Sequence, residues 1–185
     1  PWWTAGENYL EDNNDNPTAC LAGFILRFAD KESPLYALGH RISGEVIDSY
    51  LQQDEPPEMH LLSCYIRLVQ YIEEADLADD FDITALKSKL KEDVTKTITS
   101  DTAEWASGYI CKPSQFFNHK SSMFYKDNQK TADFEYQYII ETQQEDGTWQ
   151  IPWGWPEYAN KWAISENWWK ANVVITNLFY LRGMK

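Results

Sequence analysis

Apolar residues recur every three or four positions along most of the chain, which is the spacing of one face of an α-helix. In the first half, three such stretches each follow a proline, a residue that fits the first helical position because the N–H it lacks would be unpaired there anyway. They predict helices over about residues 17–28, 34–51 and 57–72. Asn16 can cap the first helix. That helix is apolar nearly all round, so we expect it to be well buried.

The second half predicts three more helices and one long connection. Asp82 can cap a fourth helix, which carries a single narrow seam of apolar residues: Ile83, Leu86, Leu90, Val94 and Ile98. Residues 100–125 lose periodicity, and a connection of this length is uncommon unless it covers something.

A fifth helix is predicted over about residues 127–142, and its inward residues are expected to be Ala132, Tyr136, Ile139 and Ile140. A sixth is predicted over about 166–181, with Gly183 just past its end, where a left-handed glycine often stops a helix. No segment of real length alternates with period two. The sequence therefore predicts an all-α fold of about six helices, paired by short links as stacked antiparallel αα hairpins.

Length and charge narrow the possible functions. The chain has 185 residues, and we expect residues 1–185 to form a single domain. Its net charge of −13 disfavours binding to nucleic acid or to an anionic membrane surface. No apolar run is long enough to span a membrane. The chain starts at Pro1, and its first residues show no initiator methionine, basic n-region or apolar h-region. It has three cysteines without a C-x-x-C pair. We therefore expect a cytoplasmic, C-terminal piece of a longer chain, with free thiols.

One sequence motif lies at the end of the predicted fifth helix. Gln143, Gly147 and Trp149 fit the spacing Q-x-x-x-G-x-W. Asp146-Gly147 is typical of a tight turn, because glycine accepts a positive φ. Gln143 can offer its amide to backbone groups left unpaired at a helix end, and the ring of Trp149 can cover that amide. The motif predicts a clamp that joins one αα pair to the next.

This spacing resembles the QW motif of the squalene–hopene cyclase and protein prenyltransferase superfamily. Three further parts of the chain are similar to uncharacterised bacterial prenyltransferase-like proteins. They are the segment from Glu104-Trp105 to Pro113, the segment from Trp153-Gly154-Trp155 to Trp168-Trp169, and the opening Pro1-Trp2-Trp3. The resemblance implies an α/α toroid, a ring of inner and outer helices. It also implies an isoprenoid or other hydrophobic ligand in an aromatic cavity. The six predicted helices would form half or a fragment of an (α/α)6 ring. Missing sequence, or self-association with a second copy, would complete the ring.

Several signatures of the superfamily are missing from this chain. No cysteine has an aspartate two residues earlier, as the zinc-binding prenyltransferase subunits do. The segment Asp79-Asp80-Phe81-Asp82 reads D-D-x-D, whereas class II cyclases use D-x-D-D, and it stands at a helix start where acids cap. Ile83 excludes the metal-binding pattern D-D-x-x-D. We therefore predict no metal and no cofactor, and no catalytic acid is identified, so enzymatic activity stays open.

The remaining polar candidates have simpler structural interpretations. His60 and Cys64 are four residues apart, a spacing that suits two metal ligands or a thiolate–imidazole pair; a buried cysteine beside a hydrogen-bonded histidine is the simpler interpretation. The acidic segment 11–15 is interpreted as a solvated loop. His40 and His119 have no evident partner in the sequence.

Six of the nine tryptophans fall within residues 149–169. Such rings can lock a loop over helix ends, or they can line a cavity that holds a carbocation or a sugar ring. A candidate pocket is predicted from the following residues: Trp153, Trp155, Trp168, His60 and Tyr65.

Three functions remain open at this point. A cyclase-like protein predicts an apolar cavity with a lone acid. An α/α-barrel glycoside hydrolase or polysaccharide lyase predicts an open polar cleft with two facing carboxylates. A non-catalytic helical interaction module predicts an apolar patch at a helical edge and no cavity.

Overall fold

The computed structural model describes residues 15–106 and 108–185, and these residues form an all-helical structure. Pro1-Trp2-Trp3 and most of the acidic segment, residues 11–14, lie outside the described residues. Six α-helices follow one another: α1 Thr18–Phe28, α2 Pro34–Leu51, α3 Met59–Glu74, α4 Ile83–Thr97, α5 Gln129–Glu141 and α6 Ala159–Gly183. Residues 15–106 and 108–185 contain no strand. The predicted fold class, all-α with about six helices, is confirmed.

Side-chain caps set three of the helix starts. At α2, the Ser33 hydroxyl accepts a hydrogen bond from the backbone N–H of Tyr36 at 3.1 Å. At α3, the Glu58 carboxylate accepts from two backbone N–H groups of the first turn, and at α4 Asp82 accepts from Ala85 N at 2.9 Å. These bonds satisfy donors that a helix start leaves unpaired. The predicted cap at α1 is wrong, because Pro17 takes the cap position and no side chain bonds there.

The chain divides into two compact units, residues 1–90 and 91–185, and the division falls within α4. In unit 1, α1 packs against both α2 and α3. Tyr50 of α2 and Tyr65 of α3 are fully buried and stack with their ring centroids 4.2 Å apart. The Tyr65 hydroxyl donates to the Asp15 carboxylate at 2.6 Å. Burial raises the pKa of Tyr65, so this tyrosine is a neutral core residue.

Helix α1 is less buried than was expected from its apolar sequence. Leu21, Phe24 and Phe28, which lie on one face of the helix, are each about half exposed. The Phe24 and Phe28 rings pack against each other and against the edge of Tyr71. Only the opposite face of α1, with Ala19, Ala22 and Leu26, is buried. A helix that is apolar all round can still leave one face exposed when its neighbours cover only the other.

The narrow seam predicted for α4 is confirmed. All five seam residues are buried: Ile83, Leu86, Leu90, Val94 and Ile98. The rest of the helix carries charged side chains, as expected for a helix with one buried stripe.

Unit 2 contains α5, α6 and the long connection before α5, which is folded into short 3-10 turns at Thr102–Ala106, Pro113–Gln115 and Lys126–Asn128. Trp105 from this connection is fully buried. Its indole N–H donates to Thr99 O at 3.0 Å, and the edges of Phe134 and Tyr138 pack against its ring. A backbone hydrogen bond from Thr99 N to Cys111 O, 2.9 Å long, holds the two ends of this stretch together.

The inward face of α5 differs from the prediction. Ala132, Glu135 and Ile139 are buried, whereas Ile140 is about half exposed and Tyr136 is half-buried. The burial follows the i, i+3, i+7 spacing of one helical face. The sequence prediction passed over Glu135 because a carboxylate rarely occupies a buried position.

Helix α6 starts seven residues earlier than predicted, and Gly183 belongs to the helix instead of following it. A side chain at position 183 would meet the backbone of Asn118: the carbonyl carbon would lie 3.0 Å from a Cβ placed there, and the oxygen closer still. Glycine is therefore required by the close approach of the long connection and not by a left-handed conformation. Neither α6, with its 25 residues, nor any other helix in the described ranges is both long and apolar enough to cross a membrane.

Candidate functional site

A pocket of about 450 Å³ lies within unit 2. The long connection, α5, the turn after α5 and α6 all contribute to its wall. Its aromatic lining residues are Tyr109, Tyr138, Trp149, Trp153 and Trp169. Its carboxamide lining residues are Gln115, Gln144, Gln150, Asn172 and Asn177. The volume falls in the range of small-molecule sites, and the mixture of rings and amides can hold a ligand that has both an apolar and a polar part.

Trp153 is the centre of the aromatic wall. Its ring centroid lies 5.3 Å from that of Tyr109, 5.0 Å from that of Trp169 and 5.0 Å from that of Trp162. Trp155 packs behind it at 6.3 Å. These separations are those of mutually packed aromatic rings. The cluster therefore holds Trp153 in one orientation at the pocket wall.

The motif residues adopt a tight turn directly after α5. Gly147 has φ +84°, a conformation that L side chains rarely adopt. The Gln143 amide donates to Gly147 O at 3.1 Å across this turn, and Gln143 itself is exposed. Trp149 is 4% exposed, and its indole N–H donates to Ile139 O at 2.8 Å. The bond anchors the turn to a carbonyl in the last turn of α5.

The hydrogen bonds of the motif differ from those that were predicted for the clamp. Trp149 bonds the helix end itself, while the Gln143 amide stays on the surface within the turn. The indole N–H of Trp149 thus pairs a carbonyl near the end of α5, whereas Gln143 was predicted to pair the backbone groups there.

A buried carboxyl group joins α5 to the long connection. Glu135 is 1% exposed and lines the pocket. It accepts two hydrogen bonds from Ser114, one from the backbone N–H at 2.8 Å and one from the hydroxyl at 2.6 Å. The hydroxyl of Tyr180, which lies 3.1 Å from Ala132 O, is a further polar neighbour. Glu135 thereby fixes the start of the 3-10 turn Pro113–Gln115 against α5.

Burial dominates the electrostatics of this part of the pocket. Loss of solvent raises the pKa of Glu135, although the bonds from Ser114 and the charge of Lys112 oppose the shift. Burial likewise lowers the pKa of Lys112. The Lys112 ammonium lies 4.8 Å from the ring centroid of Tyr138 and 5.4 Å from that of Trp105, the positions of cation–π contacts.

The raised pKa of Glu135 predicts a specific pH dependence of stability. The folded chain keeps this proton to a higher pH than the unfolded chain, whose glutamate has a pKa of about 4.3. The stabilisation is fully present below that value and is lost as the pH rises through the folded pKa. Glu135→Gln removes the titration and can still accept from Ser114 N and donate to Ser114 Oγ.

We therefore expect the melting temperature of the wild type to fall relative to that of Glu135→Gln as the pH rises from about 4 to 8. Circular dichroism melts of the two proteins across this range measure the difference. A difference that stays constant with pH would contradict the raised pKa.

The structure brings only part of the predicted pocket together. Trp153 lines the pocket, and Trp155 supports it from behind without lining it. Trp168 is 74% exposed on α6, outside the pocket wall. His60 and Tyr65 belong to unit 1, where His60 is exposed and Tyr65 is a core residue, and neither lines this pocket.

The other polar candidates have structural roles in the described residues. Asp82 caps α4, and Asp80 lies 3.1 Å from His40 Nε2. His119 Nδ1 lies 2.9 Å from the Ser121 hydroxyl. The described ranges contain no group of three or more potential metal-ligating side chains.

The three cysteines are free thiols. Burial is the main cause that raises the pKa of Cys64 to about 11 and that of Cys111 to about 12. The Cys64 thiol donates to Asn16 Oδ1 at 3.5 Å. A thiol with so high a pKa is a poor nucleophile at neutral pH, because it is hardly ionised.

Glu135, Ser114 and Lys112 were not predicted as site residues from the sequence. For Glu135 a signal existed, since it continues the buried spacing of Ala132 and Ile139. For Ser114 and Lys112 the sequence carries no such signal, because both lie in the aperiodic connection and only the tertiary fold brings them to α5.

The chain was compared with protein-family models, with curated proteins and with solved structures, and none of them matches it significantly.

Proposed function

We propose that unit 2 binds an uncharged, largely hydrophobic small molecule that carries a polar group, and that an isoprenoid alcohol represents this class. The observation that carries the proposal is the wall of five aromatic residues, centred on Trp153, beside carboxamides in a pocket of about 450 Å³. The rings offer an apolar surface to the body of the ligand, and the amides offer hydrogen bonds to a hydroxyl or carbonyl group.

Charge favours a neutral ligand over a diphosphate. Among the described residues, the pocket lining contains one cationic residue, Lys112, and one carboxyl group, Glu135. Burial disfavours the charged form of Lys112, and its ammonium already faces two rings. A diphosphate needs several cationic or metal partners to offset its charge, and the lining residues supply one at most.

The number of carboxyl groups favours a cyclase-like pocket over a glycosidase cleft. Hydrolysis of a glycosidic bond ordinarily uses two carboxyl groups on either side of the bond. Among the described residues that line the pocket, Glu135 is the only one with a carboxyl group. Both of its carboxylate oxygens accept hydrogen bonds from Ser114. We therefore propose that the pocket binds its ligand without a reaction and that Glu135 has a structural role.

The same proposal includes membership of the squalene–hopene cyclase and prenyltransferase superfamily. The all-α fold and the turn at Gly147, with Trp149 bonded to the end of α5, support it. In this interpretation the chain supplies part of an α/α toroid. The free thiols in the described residues support a location in a reducing compartment, such as the cytoplasm.

A carbohydrate is the second candidate ligand. The five carboxamides favour it, since amide groups pair well with sugar hydroxyls and tryptophan faces stack on sugar rings.

Isothermal titration calorimetry with farnesol, farnesyl diphosphate and maltose separates these ligands. We expect farnesol to bind the wild type and Trp153→Ala to bind it about tenfold more weakly or worse. The matched control Trp168→Ala removes an exposed indole outside the pocket and should keep the wild-type affinity. Tighter binding of the diphosphate would overturn the neutral-ligand proposal. Binding of maltose alone would select the carbohydrate, and no binding of any of the three would contradict both.

A further inference from the structure

Helix α6 is apolar on a face that the described structure leaves exposed. Five large side chains on it are between 54% and 74% exposed: Ile164, Trp168, Ile175, Leu178 and Phe179. The opposite face carries Trp169 of the pocket wall and the buried Tyr180. A helix that is apolar on both faces is normally buried on both. A contiguous exposed patch of this kind marks an interaction surface.

The exposed face has the periodicity of a helix–helix seam. Ile164, Trp168, Ala171, Ile175 and Leu178 are separated alternately by four and three residues. This is the heptad spacing that keeps one stripe facing a partner helix. The partner that the spacing fits is therefore another helix that lies nearly parallel or antiparallel to α6.

Charge indicates which helix can approach this face. The chain carries 29 acidic residues and a net charge of −13, so most of its surface repels a second copy. The exposed residues of α6 include no acid. The single acidic residue of α6, Glu166, is partly covered and pairs with Lys170 at 3.0 Å. Two copies can meet at this face without apposing carboxylates.

The arrangement of large and small residues is self-complementary. Ile164 and Phe179 lie at equal distances in sequence from the midpoint between Ala171 and Asn172, and so do Trp168 and Ile175. An antiparallel pair of α6 helices would therefore place these four large residues opposite one another, with the small Ala171 at the crossing. Such a contact is isologous and closes as a dimer.

The area of the patch suffices for a specific dimer. Each of the five large side chains exposes on the order of 100 Å². The two copies together would bury about 1,000 Å², which is where specific interfaces begin.

From these observations we infer that the exposed face of α6 is a self-association surface, on which a second copy of this chain docks its own α6 in antiparallel orientation. This inference is independent of the ligand proposed for the pocket, since none of the five large side chains lines that pocket.

Sedimentation equilibrium of the chain and of two charge variants tests the inference. We expect a dimer for the wild type, and for Trp168→Glu a dissociation constant raised roughly a hundredfold. The matched control is Phe28→Glu, which places the same charge on the exposed face of α1, where Phe28 is 58% exposed, and it should stay dimeric. Circular dichroism confirms that both variants are folded.

Three outcomes would overturn the inference. A wild type that is monomeric up to high micromolar concentration has no such interface. Loss of the dimer in Phe28→Glu shows that the α1 face takes part. Rings or filaments larger than a dimer show a head-to-tail contact instead of an isologous one.

Discussion

Replacing Trp105 by alanine should lower the free energy of unfolding by about 3–5 kcal/mol. The ring is fully buried and packs in T-shaped contacts with Phe134 and Tyr138, and its N–H is bonded to Thr99 O. Truncation leaves a cavity in the part of the core that attaches the long connection to α5. Chemical denaturation followed by circular dichroism measures the loss.

Trp105→Phe is the matched control for this prediction. It keeps an aromatic ring but removes the indole N–H that donates to Thr99 O. We expect a smaller loss of about 1–2 kcal/mol. Equal losses in the two variants would show that the hydrogen bond and not the packing carries the effect, contrary to the structure.

Replacing Trp149 by alanine should destabilise unit 2 by a similar amount, about 3–5 kcal/mol. The residue is 4% exposed, and its indole bonds Ile139 O near the end of α5. The variant loses the packing of the ring and leaves that carbonyl without the indole, so the turn detaches from the helix. Thermal melts together with hydrogen exchange at the end of α5 should both report the change.

Gln143→Ala tests whether Gln143 contributes less to the stability of unit 2 than Trp149 does. Gln143 is exposed, and its bond to Gly147 O lies within the turn. We expect it to cost no more than about 0.5–1 kcal/mol. A melting temperature unchanged in Trp149→Ala, or a larger loss in Gln143→Ala than in Trp149→Ala, would refute this division of roles.

The helices of this chain could be predicted from the sequence, because apolar periodicity and capping residues determine a helix over a short stretch of chain. The apolar seam of α4 and its Asp82 cap are cases in which periodicity and capping chemistry predict the structure correctly. The exposed faces of α1 and α6 could not be predicted. Apolar periodicity records which faces are apolar, whereas burial also depends on whether a neighbouring element covers each face.

The pocket was only partly predictable for a related reason. Trp153 was identified because tryptophans are concentrated in its segment, and such large rings are seldom left in solvent. His60 and Tyr65 belong to unit 1, which only tertiary contacts show and the sequence pattern does not. Glu135 lies on the predicted inward face of α5 but was missed, because a carboxyl group is seldom buried. Its hydrogen bonds come from Ser114, 21 residues earlier in the chain, and the sequence does not show them.

The most direct test of the proposed pocket is a two-dimensional ¹H–¹⁵N NMR titration that follows the indole N–H signals during addition of farnesol. We expect shifts of the signals of Trp149, Trp153 and Trp169, which line the pocket. We expect no shift for Trp168, which is exposed on the other face of α6. If saturating farnesol left the three pocket signals unshifted, or shifted only the Trp168 signal, the proposed pocket would be wrong.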